Sequence, residues 1–426
     1  MRILLLGAGG FIGRHILAEL VRHGHHVTAV VRANAGFGMA FRETSFLVTN
    51  LARAINEDDW THRLAGIDAI VNAAGVLRGR EMRAVHVDMP RALYAAAEHT
   101  GVRRLVLISA ISARPEVPTD YAQSKLAGEA LVRASGLDWT ILRPSLVYGD
   151  GSYGGTSLMR GLAGLPWLVP LPGKGDFAFT PIHTRDLART ARLVCEEARF
   201  TGQTLEPVGP ETISLKDLLT RYRAWLGFGR ARFLPIPMPV MRALGRIGDL
   251  AGSGPVATNS LAQMIAGNAG NSTAFAAAVG FAPRSLDKAL SERPAQVQDR
   301  WHARLFFLPP VVKAILVLLW LASALLGLFH GDAPTADLVR AMGLPPAVAG
   351  PLRIGSSILD IGIAALLLAD RRGHWSTLAQ FAVVFGYTVA IGVTMPGLWL
   401  DPMGPLLKNL PILALILVHG AIGSRR

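Results

Sequence analysis

Tyr121 and Lys125 stand four residues apart in Tyr121-Ala-Gln-Ser-Lys125. On a helix that spacing puts a phenol and an ammonium on one face. A cation beside a phenol favours the phenolate, so the pair could move a proton near neutral pH. A second set opens the chain: Met1-Arg-Ile-Leu-Leu-Leu-Gly7-Ala-Gly-Gly10-Phe11-Ile12-Gly13 reads strand, glycine loop, helix. Gly7 allows a tight turn, Gly10 lets backbone approach a pyrophosphate, and Gly13 lets the helix pack close on a sheet. Phe11 and Ile12 begin that helix, whose free N–H groups suit phosphate. The spacing is G-x-x-G-x-x-G, and the order of elements makes it a dinucleotide-site signature. A secretion signal is the competing reading, but three glycines break the apolar run and an amphipathic helix follows it.

The elements that must position these groups alternate over residues 1–150. Strands are expected at Ile3–Leu6, Val27–Val31, Ala69–Asn72, Leu105–Ser109 and Trp139–Leu142, with helices at Ile12–His23, Met89–Thr100 and Tyr121–Ser135. Such alternation means an α/β fold with a doubly wound parallel sheet, a Rossmann core over 1–150. Residues 151–300 are richer in Gly and Pro, with the stretch Leu234-Pro-Ile-Pro-Met-Pro239, and read as a smaller substrate-side lobe. Cys195 is the only cysteine, which excludes an intramolecular disulfide; it reads as a small buried hydrophobe. No metal site is read.

The motifs in order resemble the short-chain dehydrogenase/reductase superfamily, in its extended or atypical branch, over about residues 1–295. Besides the glycine loop and Tyr121/Lys125, the chain has Asn72-Ala73-Ala74-Gly75, like the family's N-x-A-G turn, and Arg143-Pro-Ser-Leu-Val-Tyr148-Gly149. Pro181-Ile-His183-Thr-Arg-Asp186-Leu-Ala188 is similar to a further segment of that branch. The resemblance implies Tyr121 as general acid/base, Lys125 as its activator and ribose ligand, and Ser109 as the group polarising the substrate oxygen. It also implies Ala73, Ala74 and Gly75 at the cofactor, with Asn50 and Leu51 bordering the adenine. Two departures stand out. The family serine usually lies a residue or two beyond Ser109, where this chain has Ala110 and Ile111. The helix asparagine of the family's proton relay is replaced by His86, read equally as a relay or as a helix-start residue without chemistry.

Cofactor choice turns on the residue after the second strand. NAD enzymes place an acid there for the ribose 2′-OH; this chain has Arg32, followed by Ala33 and Asn34. A guanidinium suits a 2′-phosphate, so NADP(H) is expected, with NAD(H) the alternative.

Only 17% of the 426 residues are charged, and mean hydropathy is +0.35. That points to membrane segments. Four apolar spans follow Trp301: about 309–329, 350–369, 376–396 and 405–422. Each approaches the roughly 20 residues a bilayer-crossing helix needs. They resemble the DoxX-like family, notably at Asp401-Pro-Met-Gly-Pro405-Leu-Leu-Lys408-Asn409-Leu-Pro411. The expected C-terminal domain, 305–426, is therefore an all-α four-helix transmembrane bundle. Arg300, His302, Arg304, Arg371, Arg372, Arg425 and Arg426 fall on one side, while Asp332, Asp337 and Asp401 with only Arg340 fall on the other. The positive-inside rule then expects both termini and the nucleotide domain in the cytoplasm, with the spans in the inner membrane. Arg353, Asp360 and Lys408 lie at depths that would let them share a buried polar site, for a quinone or as a structural ion pair.

The net charge of +13 is spread without a basic block or interleaved aromatics, so nucleic acid is not an expected partner. Two readings remain: a membrane-anchored oxidoreductase acting on a lipophilic carbonyl, hydroxyl or quinone-like substrate at the lipid surface, or a dinucleotide-binding scaffold docked on a membrane redox partner.

Overall fold

The computed structural model describes residues 1–32, 44–230, 232–250, 258–331, 333–370 and 372–423. It divides into two compact units, Met1–Ala303 and Arg304–Arg426.

The first unit is organised by a sheet of seven strands: β1 (Arg2–Leu6), β2 (His26–Val31), β3 (Ser45–Val48), β4 (Ala69–Asn72), β5 (Arg104–Ile108), β6 (Asp138–Leu142) and β7 (Gln203–Leu205). Their order is β7-β6-β5-β4-β1-β2-β3, and every pairing is parallel. Central strands buried on both faces need continuous apolar runs. Ile3 to Leu6 and Ala69 to Val71 are all fully buried. Strand order reverses between β1 and β4, so the crevice at their carboxyl ends is the place where such sheets take ligands.

Three helices pack around this switch point: α1 (Phe11–Arg22), α2 (Met89–Thr100) and α3 (Asp120–Ala134). Thr119 caps α3, its hydroxyl accepting from Ala122 N–H (3.2 Å). The sheet does not close at residue 150. Its seventh strand is Gln203–Leu205, and α4 (Thr184–Glu196), also beyond residue 150, supplies Leu187, Ala191 and Val194 to the core beneath β1. Cys195 is buried there, and burial pushes its thiol up to about 12.

The second unit contains α5 (Leu308–Phe329), α6 (Ala349–Ala369), α7 (His374–Thr394) and α8 (Asn409–Gly423). Among the described residues, three apolar helices are long enough to cross a membrane, the middle one counted from Pro346; the 15-residue α8 is shorter than the expected span. The chain turns through Asp401–Leu407 before α8 begins, which accounts for the difference. Polarity runs opposite to a water-soluble bundle. Ser357, Asp360, Ser376, Gln380 and Thr388 are buried, whereas Leu318, Leu325, Leu326, Ile358 and Val393 are exposed. Asp332, Arg371, Arg425 and Arg426, used in the orientation argument, lie outside the described residues.

Asp360, Arg353 and Lys408 do not share a site. Asp360 takes a hydrogen bond from Ser323 Oγ (2.6 Å), and its other carboxylate oxygen is buried without a partner. Arg353 instead donates to the carbonyls of Gly327 (2.7 Å) and Leu328 (3.0 Å), the last turn of α5, where a cation is favoured. Lys408 is exposed.

Candidate functional site

The glycine turn leaves β1 at Gly7, whose φ of +73° is a backbone region that side chains rarely adopt. A Cβ at Gly13 would lie 2.1 Å from the Gly7 carbonyl oxygen, so α1 starts directly against the turn. The first helical hydrogen bond runs from Arg14 N–H to Gly10 O (3.1 Å). The amides of Phe11, Ile12 and Gly13 precede it and remain available to an anion. The Arg14 guanidinium rests on the carbonyls of Gly9 (3.2 Å) and Gly10 (3.4 Å), placing a cation beside the turn.

The neighbouring turn, Ala73-Ala74-Gly75, leaves β4 and is held by Asn72. Its Oδ1 accepts from Ala74 N–H (3.2 Å), while its Nδ2 donates to the Tyr94 hydroxyl (3.0 Å). A Cβ at Gly7 would meet the Ala73 carbonyl at 2.8 Å, so the two turns touch. A Cβ at Gly75 would come within 3.4 Å of Lys125 Nζ. The first turns after β1 and β4 and the lysine of α3 therefore converge on one cradle, kept open by glycines. That cradle fits a dinucleotide.

Arg32 follows β2, one strand from the turn, and is exposed; Ala33 and Asn34 lie outside the described residues. Asn50 and Leu51 follow β3, Asn50 Oδ1 accepting from Ala52 N–H (3.1 Å). Arg32, Asn50 and Leu51 lie at the carboxyl edge of the sheet.

Tyr121 and Lys125 share the inner face of α3. Lys125 is buried, donates from Nζ to Ile108 O (3.1 Å), and sits 6.0 Å from the centre of the Tyr121 ring. Burial lowers the ammonium to about 8, partly opposed by the Glu129 carboxylate. The phenol departs from expectation: burial, with a further push from Tyr153, raises Tyr121 to about 12. Desolvation of both groups outweighs the attraction of the cation for a phenolate.

Ser109 is drawn elsewhere. Its hydroxyl donates to Glu129 Oε1 (2.6 Å), a carboxylate with no exposed surface that also receives Arg143 (2.8 and 2.6 Å) and Arg133 (3.0 Å). Burial works to raise Glu129, yet the hydrogen bonds from Arg143 and Ser109 hold it below the usual carboxylate range. The serine is thus bound into an ionic core that ties α3 to β6.

His86 is an architectural residue. Its Nε2 accepts from Val76 N–H (3.2 Å), so Nδ1 carries the proton and donates to Ser124 Oγ (2.8 Å). Burial and the nearby Lys125 charge lower it to about 3. A neutral ring with both nitrogens engaged fixes the turn after β4 to α3 and carries no proton between them.

Two other motif segments also build structure. Arg143 belongs to the Glu129 core. His183 caps α4 through Arg185 N–H (3.2 Å), and Asp186 receives Arg284 N–H (3.0 Å) and its guanidinium (3.2 Å). Sequence reasoning missed Glu129, Ser124 and Arg14; the one local signal was the turn-spaced pair Lys125 and Glu129.

A parallel sheet with this cradle at its switch point defines an NAD(P)-binding Rossmann domain, and a DoxX-like domain follows it at the C-terminus. Residues 7–162 match the NAD(P)H-binding family and residues 317–417 the DoxX-like family. The ceramide reductase of Caulobacter vibrioides is 28% identical over 255 residues, covering 58% of this chain and 77% of that protein. The mitochondrial NADH dehydrogenase [ubiquinone] 1 alpha subcomplex subunit 9 of Rattus norvegicus is 25% identical over 276 residues, 61% of this chain and 70% of that one. In fold, the chain is similar to a nucleoside-diphosphate-sugar epimerase from Staphylococcus aureus (TM-score 0.56, 19% identity, 68% of this chain and 99% of that chain). It is likewise similar to an NADPH-dependent quinone oxidoreductase from Escherichia coli solved with NADPH (TM-score 0.55, 18% identity, 68% and 99%).

Proposed function

We propose that this chain is a membrane-anchored, NADP(H)-dependent oxidoreductase that reduces a lipophilic carbonyl or quinone-like substrate. The observation that carries the reading is the Tyr121–Lys125 pair at the rim of the glycine cradle, next to Gly75. Gly7, Gly10 and the free amides of Phe11, Ile12 and Gly13 would hold the pyrophosphate, Lys125 the ribose, and Arg32 a 2′-phosphate. The nicotinamide, when bound, supplies or accepts a hydride.

The chain's own part is the proton. A phenol held at about 12 keeps its proton at neutral pH, which suits Tyr121 to donate to a substrate oxygen as that oxygen gains charge. Lys125 keeps a positive charge at the cradle below about 8 and anchors the start of α3 to the end of β5. Similarity to a ceramide reductase and the apolar helices of the second unit support a substrate that partitions into lipid. In this reading both termini and the nucleotide domain face the cytoplasm, following the Lys/Arg asymmetry of the loops.

The test is Tyr121→Phe in purified full-length protein, following nicotinamide absorbance against a panel of long-chain ketones and quinones. Turnover is expected to fall by about two to four orders of magnitude while nucleotide affinity stays nearly constant. A second reading, a dinucleotide-stabilised scaffold on a membrane redox complex, is favoured by the commitment of Ser109 to Glu129 and by the likeness to the NADH dehydrogenase subunit. Rescue of a cellular phenotype by Tyr121→Phe alongside failure of Gly10→Val would select that second reading.

A further inference from the structure

The lobe of the first unit carries an exposed surface that the cradle does not use. Helix Met238–Leu250 lies on the outside of the first unit, and among its described residues only Gly245 is buried. A Cβ at Gly245 would meet Thr258 N at 3.3 Å, which marks where the helix touches the body. Val240, Leu244 and Ile247 recur at helical spacing on one face, and all are exposed, Ile247 to 62%. Arg242 and Arg246 fall on the opposite side of the helix and are also exposed.

The apolar surface continues through the strand that precedes the helix. Arg232–Ile236 pairs in parallel with Leu168–Pro172, Arg232 opposite Leu168 and Leu234 opposite Pro170. Val169 and Leu171 point into the core, so Leu168 and Leu234 belong to the outer face, where both are exposed. Trp167, 81% exposed, stands at the end of this pair. From Arg230 to Ile247 the sequence holds four arginines, Arg230, Arg232, Arg242 and Arg246, and no acidic residue; the one acid of the helix, Asp249, accepts from Thr258 N–H (3.1 Å) and its hydroxyl.

A 13-residue helix is marginal in water without a packed face. One with leucine, isoleucine and valine outward, arginines on its other side and a tryptophan nearby has the composition of a helix seated in a lipid interface. The charge selects the occupant: an anionic surface attracts juxtamembrane basic groups. We propose that Met238–Leu250, with the outer face of the strand pair Leu168–Pro172 and Arg232–Ile236, docks on the anionic surface of a phospholipid bilayer. This would bring the lobe to the layer where a lipophilic substrate resides. The inference rests on the membrane reading above and is independent of turnover.

The test uses the full chain in nanodiscs, with an environment-sensitive fluorophore on Leu244→Cys or Ile247→Cys and nitroxide-bearing lipid as quencher. Cys195 is buried, which favours labelling at the introduced thiol. His62→Cys, at an exposed site, serves as the solvent control, and Leu318→Cys, on the outer face of α5, reports insertion of the apolar helices. In discs containing phosphatidylglycerol, the labels at 244 and 247 should shift to the blue and be quenched, while that at 62 should not. In purely phosphatidylcholine discs, or with Arg242→Glu and Arg246→Glu combined, the shift should be lost with NADPH binding retained. A quenched label at 318 beside unquenched labels at 244 and 247 would overturn the docking inference alone. An unquenched label at 318 would overturn the membrane reading and the inference with it. A blue shift that follows protein concentration and not lipid charge would assign the surface to a second copy and also overturn the proposal.

Discussion

Lys125 should make the nucleotide-free protein less stable than a neutral side chain would. Its ammonium is buried and lowered from the ordinary 10.5 to about 8, and desolvation is the main cause. That gap corresponds to about 3 kcal/mol of unfavourable folding free energy near pH 7, where the unfolded lysine is fully charged. Loss of the hydrogen bond from Nζ to Ile108 O costs a variant about 1 kcal/mol. Lys125→Met, close in length and flexible, should therefore stabilise the first unit by about 2 kcal/mol at pH 7. The gain fades with base. As pH rises from about 8 towards 10.5 the unfolded lysine also loses its proton, so the charge penalty falls below about 1 kcal/mol at pH 10 and the lost hydrogen bond cancels the gain. Thermal unfolding of full-length protein by intrinsic fluorescence at pH 7 and pH 10, without nucleotide, reads this as a rise of a few degrees that vanishes. Added NADPH should raise the melting temperature of the parent more than that of the variant, because Lys125 would hold the ribose. A variant less stable at pH 7, or a difference unchanged between the two pH values, would refute the reasoning.

Gly13→Ala places a methyl 2.1 Å from the Gly7 carbonyl, so α1 must move off the turn; loss of the NADPH-induced melting shift, measured by scanning fluorimetry, is the expected result. Arg32→Ala should weaken NADPH binding by about 1–3 kcal/mol and leave NADH nearly unchanged, as titration calorimetry would resolve. Glu129→Gln leaves Arg143 and Ser109 without their carboxylate and should cost about 3–5 kcal/mol in urea unfolding. Because Glu129 is held below its ordinary value, its contribution is present above that value and lost on acidification through the folded one. The variant's stability should accordingly be flatter than the parent's on the acid side.

What could be read beforehand was what local sequence encodes. The runs at Ile3–Leu6 and Ala69–Val71 are apolar because both faces of a central parallel strand are covered, and the glycines of the first turn sit where a Cβ would strike backbone. The seventh strand escaped notice because Gln203–Leu205 is three residues long and two of them are exposed, leaving no apolar run to see. The apolar helices of the second unit showed as hydropathy, but their internal pairing did not: Asp360 meets Ser323, 37 residues earlier, and Arg353 meets carbonyls whose residue types are irrelevant.

The same distinction explains why the partners of Ser109 and His86 were not legible in the sequence while the glycine turns were. Gly7, Gly13 and Gly75 act through the absence of a side chain, a property carried by the residue itself. Ser109 and His86 act through partners chosen by the fold. Glu129 lies 20 residues beyond Ser109 and one turn beyond Lys125, and it turns a hydroxyl at the end of β5 into a ligand of a buried carboxylate. The Tyr121 phenol follows the same rule. Helical spacing puts the cation of Lys125 within reach, but the packing that brings them together also removes water from both, and burial decides the direction in which each proton is held. The Tyr–Lys spacing thus names the pair, and the fold decides how tightly each member holds its proton.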